Sequence, residues 1–95
     1  MLTSKERAAL RAKAHHLSAI FHIGKEGASP AFVAGVRDAL EARELIKINI
    51  LDNCELDVQA AAEIVASRSG AEVVQTIGRK FVLYKKAKKA KEGVL

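Results

Sequence analysis

Ile46, Ile48 and Ile50 alternate with Lys47 and Asn49. That period of two predicts a strand over Leu45–Leu51 with one buried and one wet face. Phe32, Val33, Val36 and Leu40 recur instead at helical spacing, so a helix starting at Pro30 packs one side on a sheet. Ser29 supplies its N-cap, and Pro30 is a first helical residue that needs no N–H. Val58, Ala61, Ala62 and Val65 define the buried side of a later helix over Asp57–Ser69, bordered by Ile64 and ended by Gly70. An earlier helix runs from Ser4 to His15 or His16. Thr3 with Glu6 three residues on is a capping-box pattern, although the apolar stripe of Ala9, Leu10 and Ala14 is thin. Ser18–Ile23 reads as a strand, as do Glu72–Ile77 and Lys80–Lys85, and Gly78-Arg79 is a two-residue hairpin loop between the last two. From Lys86 the chain is rich in lysine and alanine, which predicts a helical or frayed tail.

The resulting order is α-β-α-β-α-β-β, an α/β (α+β) arrangement. It predicts a small mixed four-stranded sheet with helices packed on one face, the second and third among them. Strand–helix–strand crossovers should be right-handed, and the last two strands antiparallel. At 95 residues the whole chain is expected to be one domain, with no room for a second core. Gly35 inside the second helix costs about 1 kcal/mol against alanine, which points to a close helix contact there.

Gly24-Lys25-Glu26-Gly27 falls where the first strand hands over to the second helix. Open α/β sheets place ligands at the carboxyl ends of strands, and a helix N-terminus presents free N–H groups and a positive dipole end to an anion. Glycines allow close backbone approach, and Lys25 adds a mobile charge. On the loop alone, an ordinary strand-to-helix turn is the simpler reading.

Charge changes that balance. The chain carries 16 Lys and Arg against 11 Asp and Glu, a net +5. Arg79, Lys80, Lys85, Lys86, Lys88, Lys89 and Lys91 follow one another with no acid among them, and Lys5, Arg7, Arg11 and Lys13 lie near the start. The acids gather in the middle. Arg7, Arg11 and His15 share one helix face by their spacing of four. A basic surface built from both chain ends is the footprint of a polyanion binder, although Lys86 onward serves equally as a solubilising tail.

The search for catalytic chemistry comes back empty. His15, His16 and His22 have no metal-ligand spacing, and Cys54, the lone cysteine, reads as a packing residue. Asp52, Glu55 and Asp57 lack an EF-hand pattern, and helix capping accounts for Asp57. The glycine loop is neither a Walker motif nor a dinucleotide fingerprint. A Gly-x-x-Gly loop in a compact α/β domain is, however, how KH domains clamp a nucleic-acid backbone. The aromatics are Phe21, Phe32, Phe81 and Tyr84, of which only Tyr84 is a candidate for base stacking. Without a signal-peptide core or an apolar run of about 20 residues, the expected location is the cytoplasm.

Three separated stretches resemble one family. His15-His16-Leu17, then Ile23-Gly24-Lys25-Glu26-Gly27, then Thr76-Ile77-Gly78-Arg79-Lys80-Phe81-Val82-Leu83-Tyr84 resemble the CRM domain (chloroplast RNA splicing and ribosome maturation) in its stand-alone bacterial YhbY-type form. The resemblance covers almost the whole chain. It implies a fold related to the C-terminal domain of translation initiation factor three, and association with precursors of the large ribosomal subunit. In plants the same domain recurs in splicing factors. Carried over by position, the clamp is Gly24, Lys25, Glu26 and Gly27. Glu26 departs from the often neutral residue there, and Lys85 stands where arginine often follows the final tyrosine.

The leading expectation is a non-enzymatic RNA-binding protein assisting large-subunit assembly. Arg7, Arg11, Lys13 and His15 would extend the clamp on one side, and Arg79, Lys80 and Lys85 elsewhere. The runner-up is a protein-interaction adaptor on a translation or RNA-processing complex. The expected partner is ribosomal RNA in a pre-50S particle, bound by a monomer. No cofactor, metal, membrane or small-molecule substrate is expected.

Overall fold

A computed structural model of the protein describes residues 2–87. It contains α1 (Ser4–Ala14), β1 (Phe21–Ile23), α2 (Pro30–Arg43), β2 (Leu45–Ile50), α3 (Val58–Ser69), β3 (Glu72–Ile77) and β4 (Lys80–Tyr84). The expected order is the one found. β1 is shorter than its apolar run, although Ile20 still donates its N–H to Lys47 O at 3.0 Å. The tail residues Lys88, Lys89 and Lys91 lie outside the described residues.

Local chemistry explains the helix ends. Thr3 Oγ1 accepts from Glu6 N at 3.1 Å while Glu6 Oε1 accepts from Thr3 N at 3.0 Å, so two orphan donors are satisfied reciprocally. Ser29 Oγ and Asp57 Oδ1 cap α2 and α3 in the same way, accepting from Phe32 N and Ala60 N.

The sheet order is β1-β2-β4-β3. β1 pairs parallel to β2, and β4 runs antiparallel to both its neighbours. The connection through α3 therefore carries the chain past a vacant position, and the Gly78-Arg79 hairpin folds β4 back into it. β4 becomes a central strand, and its Phe81, Val82 and Leu83 are all buried.

That continuous burial needs cover on both faces. Ile46, Ile48, Ile50, Phe81 and Leu83 meet Val36, Leu40 of α2 and Ala61, Ala62, Val65 of α3 in the larger core. Leu45, Val74 and Val82 point the other way and meet Leu10 and Ala14. The expectation of helices on one face thus holds for α2 and α3, and α1 departs from it. Its thin apolar stripe suffices because α1 covers only part of the second face. The close helix contact expected at Gly35 is not found: a Cβ there would meet only the ring of Phe21, at an ordinary 3.5 Å. Phe21 stacks edge-on against Phe32 with ring centroids 5.7 Å apart.

Glu44 joins α2 to β2 in a left-handed conformation (φ 64°), unusual for a residue with a side chain. It is buried. Its carbonyl accepts from Lys85 N at 3.0 Å and its carboxylate from Ala87 N at 2.7 Å, which docks the chain leaving β4.

Candidate nucleic-acid interface

Gly24–Gly27 forms a tight turn in which Gly27 N donates to Gly24 O at 3.1 Å. The two glycines sit in different surroundings. A Cβ on Gly24 would sit 3.1 Å from Asn53 Oδ1 and 3.4 Å from Leu51 Cδ1, a tight fit that these exposed side chains would have to yield to. Gly27 has open space around it but a φ of 64°, which a side chain would strain. Its amide is taken up by the turn. Lys25 and Glu26 occupy the tip, both exposed, and neither side chain has a hydrogen-bond or ionic partner among the described residues. In the first turn of α2 that follows, Pro30 has no N–H and Ser29 takes those of Phe32 and Val33, which leaves the Ala31 N–H open.

The turn is held from below and from the side. Arg68 donates to Ala28 O at 2.8 Å, and Arg37 in turn donates to Arg68 O at 2.7 Å. Leu51 N donates to Ile23 O at 2.8 Å, which brings the turn after β2 alongside. Arg79 closes the third side. Its backbone carbonyl accepts from Ile50 N at 2.7 Å, and its guanidinium donates to Ile50 O at 3.1 Å and Leu51 O at 2.7 Å. The exposed Arg79–Asp52 pair at 3.6 Å adds little by comparison. Three turns, after β1, after β2 and between β3 and β4, therefore converge at one end of the sheet.

The sequence-predicted residues divide. Arg11 and Lys13 lie exposed on the C-terminal half of α1, Lys13 beside Arg43 and Leu45 at the start of β2; His15 is exposed as the C-cap of α1, and Lys80 is exposed beside the hairpin turn. Arg7 leaves this group: its guanidinium is half-buried and donates to Val73 O and to Val74 O, the latter at 3.1 Å, where the β3–β4 register shifts. Lys85 lies at the far end of β4, about 17 Å along the strand from Lys80, where its Nζ reaches Ser69 O at 3.4 Å. Tyr84 is at that same far end, packed beside the α1 core. Burial pushes its phenol above the usual range, helped by the nearby carboxylates of Glu44 and Glu6.

Several residues of this end carried no mark in the sequence. Lys47 and Asn49 read only as the wet face of β2. The register aligns His22, Asn49, Lys80 and Ile77 in one row across all four strands, directly below the three turns. The Asn49 side-chain amide and His22 Nδ1 share a hydrogen bond of 3.3 Å. Alternation was the available signal: the residues between the buried isoleucines had to face something. Among the described residues, no group of three or more His, Cys, Asp or Glu is placed to hold a metal ion. No described helix is long and apolar enough to cross a membrane.

A small mixed four-stranded sheet, with α2 and α3 on one face, α1 on the other and a glycine turn at a strand's carboxyl end, defines a class of compact α+β domains. Within that class, residues 2–85 match the CRS1 / YhbY (CRM) domain, and the chain belongs to that family. It is 48% identical to "Probable RNA-binding protein YqeI" of Bacillus subtilis over 97% of this chain and 96% of that one. It is 31% identical to an "RNA-binding protein" of Haemophilus influenzae over 95% and 91% of the two chains. The solution structure of Staphylococcus aureus SAV1595 superposes with a TM-score of 0.79 at 39% identity, covering 94% of this chain and 93% of the other.

Proposed function

We propose that this protein binds RNA through the turn end of the sheet and acts, without catalysing a reaction, on ribosomal RNA in precursors of the large subunit. One observation carries the RNA reading: a glycine turn with an unpartnered lysine at its tip, at the junction of three turns and a helix N-terminus. Such a site meets a polyanion by backbone approach and charge, and it positions the strand without reading bases. The RNA-binding names of the relatives agree with this. The large-subunit precursor is the RNA that membership of the family implies, and a cytoplasmic monomer suits that work.

The roles are separate. Lys25 and the free amides at the turn hold phosphate. Arg11, Lys13 and His15 extend the charged surface along α1, and Lys80 extends it across the hairpin. Glu26 turns its carboxylate to solvent at the tip, where it limits how many phosphates the turn accepts. Replacing Lys25 and Arg11 together by alanine removes two phosphate contacts. The slope of log affinity against log salt should then flatten by about 1.4 on single-stranded RNA. Unchanged affinity and slope in a fluorescence-anisotropy titration would rule the assignment out. Crosslinking in cells, with mapping of the attached RNA, tests the large-subunit partner. Co-sedimentation with precursors that survives ribonuclease would favour the adaptor reading instead.

A further inference from the structure

The sheet face carrying α1 is only partly covered, and the bare part adjoins the turn end. There His15, Lys47, Ile77, Lys80 and Val82 line an open concavity of about 300 Å³. Val82 is buried at its base. Ile77 is 59% exposed, the most exposed large apolar side chain among the described residues. An edge-strand isoleucine left in water beside two lysines has no role in either core: it joins neither the cluster under α2 and α3 nor the one under α1.

We infer that this concavity is a second RNA subsite, one that seats a splayed nucleobase of a single strand whose backbone is clamped at Gly24–Gly27. The inference rests on the RNA-binding reading above and deepens it. Three arguments support a nucleotide as occupant. The lining is apolar at the base and basic at the rim, with no acid in it, which complements a base flanked by phosphates. Lys47 has no hydrogen-bond or ionic partner for its side chain among the described residues, nor does Lys80. The subsite is also continuous with the clamp. Asn49 pairs with both His22 and Lys80 in the sheet, and Lys80 pairs with Ile77. That row spans about 14 Å at ordinary strand spacing. His22 stands two residues before Gly24, so one strand of RNA crosses from the turn to the concavity along it.

The chemistry predicts a particular selectivity. An aliphatic base lacks the stacking strength of an aromatic platform and carries no fixed hydrogen-bond pattern. The subsite should therefore require a base and be indifferent to which one. Duplex RNA, whose bases are stacked inside, should not enter it.

The test compares a uridine octaribonucleotide with an octamer of the same backbone lacking its bases, each titrated into the isotope-labelled full chain and followed by amide resonances. Ile77 and Val82 should shift with the uridine strand and stay in place with the abasic one. Gly24–Gly27 should shift with both. Ile77→Ser, at an exposed position, should weaken the uridine octamer about fivefold and leave the abasic octamer unaffected. Shifts at Ile77 and Val82 that are absent, equal for both strands, or produced by duplex RNA alone would overturn the subsite, as would full affinity in Ile77→Ser. Silence at Gly24–Gly27 would overturn the clamp instead, so the two failures are told apart.

Discussion

Where β4 ends, two positive side chains already have partners: Arg7 donates to two carbonyls of β3, and Lys85 reaches the carbonyl that ends α3. The buried carboxylate of Glu44 docks the departing chain beside them. Where β4 begins, Lys25 and Lys80 have none among the described residues, nor has Lys47 midway along the sheet, while Arg79, Arg68 and Arg37 are tied to backbone carbonyls. Arginines thus fasten backbone at both ends of the sheet, whereas a lysine is fastened where β4 ends and the lysines where it begins stand open. α1 bridges the two: its first turns are fastened by the capping box, Leu2 N on Glu72 and Arg7, while Arg11, Lys13 and His15 face water. Position along the sequence does not separate these roles. Access to a carbonyl does.

Leu10 offers the largest lever on the fastened end, because it is fully buried and central to the core under α1. Leu10→Ala should cost about 3 kcal/mol in urea unfolding, from lost transfer energy and a cavity. A loss below about 1 kcal/mol would mean that α1 is an appendage and not a layer of the fold.

Arg7 and Arg11 sharpen the contrast, since one helix face carries both. Arg7→Ala leaves the carbonyls of Val73 and Val74 short of donors and should cost about 2 kcal/mol of stability with the salt slope of RNA binding unchanged. Arg11→Ala should leave stability within about 0.5 kcal/mol and lower that slope by about 0.7. Unfolding curves and anisotropy titrations on both variants decide it, and matching behaviour would abolish the division.

Most of the fold was readable because its signals are local. The isoleucine alternation, the Ser29-Pro30 start and the Thr3–Glu6 box each act over a few residues, and each appears where expected. The side of the sheet taken by α1 was harder to see. Its signal was the unbroken run Phe81-Val82-Leu83, which marks a strand covered on both faces and does not alternate. The glycine turn was readable for a similar reason, since Gly24 and Gly27 lie within a few residues of each other. Arg7 and Lys85 were misplaced among the surface charges because their partners are carbonyls 66 and 67 residues away in sequence for Arg7 and 16 for Lys85. Backbone carbonyls leave no mark on side-chain identity. The sheet-face row of His22, Asn49, Lys80 and Ile77 depends on strand order, which single-residue patterns do not contain.

Lys25→Ala addresses the open end alone. It should weaken single-stranded RNA about fivefold and move the unfolding midpoint little, since the side chain touches nothing that holds the fold. A destabilised Lys25→Ala chain would show that the turn tip is structural and that the open end is less open than its geometry.

The capping box of α1 gives the smallest effect and the one that depends on pH. The Thr3 backbone N–H bonds the Glu6 carboxylate, followed by the Thr3 side chain, and together they hold its pKa below the ordinary 4.5. A carboxyl whose folded pKa is depressed adds stability above its unfolded value and loses it as pH falls through the folded one. The parent should therefore lose stability from about pH 5 downward more steeply than Glu6→Gln, which keeps a side-chain acceptor for Thr3 N but no titrating group. At neutral pH the parent should be the more stable, because the charged acceptor also meets the positive end of the helix dipole. Urea midpoints collected for both chains between pH 7 and pH 3 should converge at the acid end, and added salt should narrow the gap at the neutral end. Parallel curves would mean that the box fastens α1 by geometry alone, and that Arg7 and the core around Leu10 carry the closed end without help from charge.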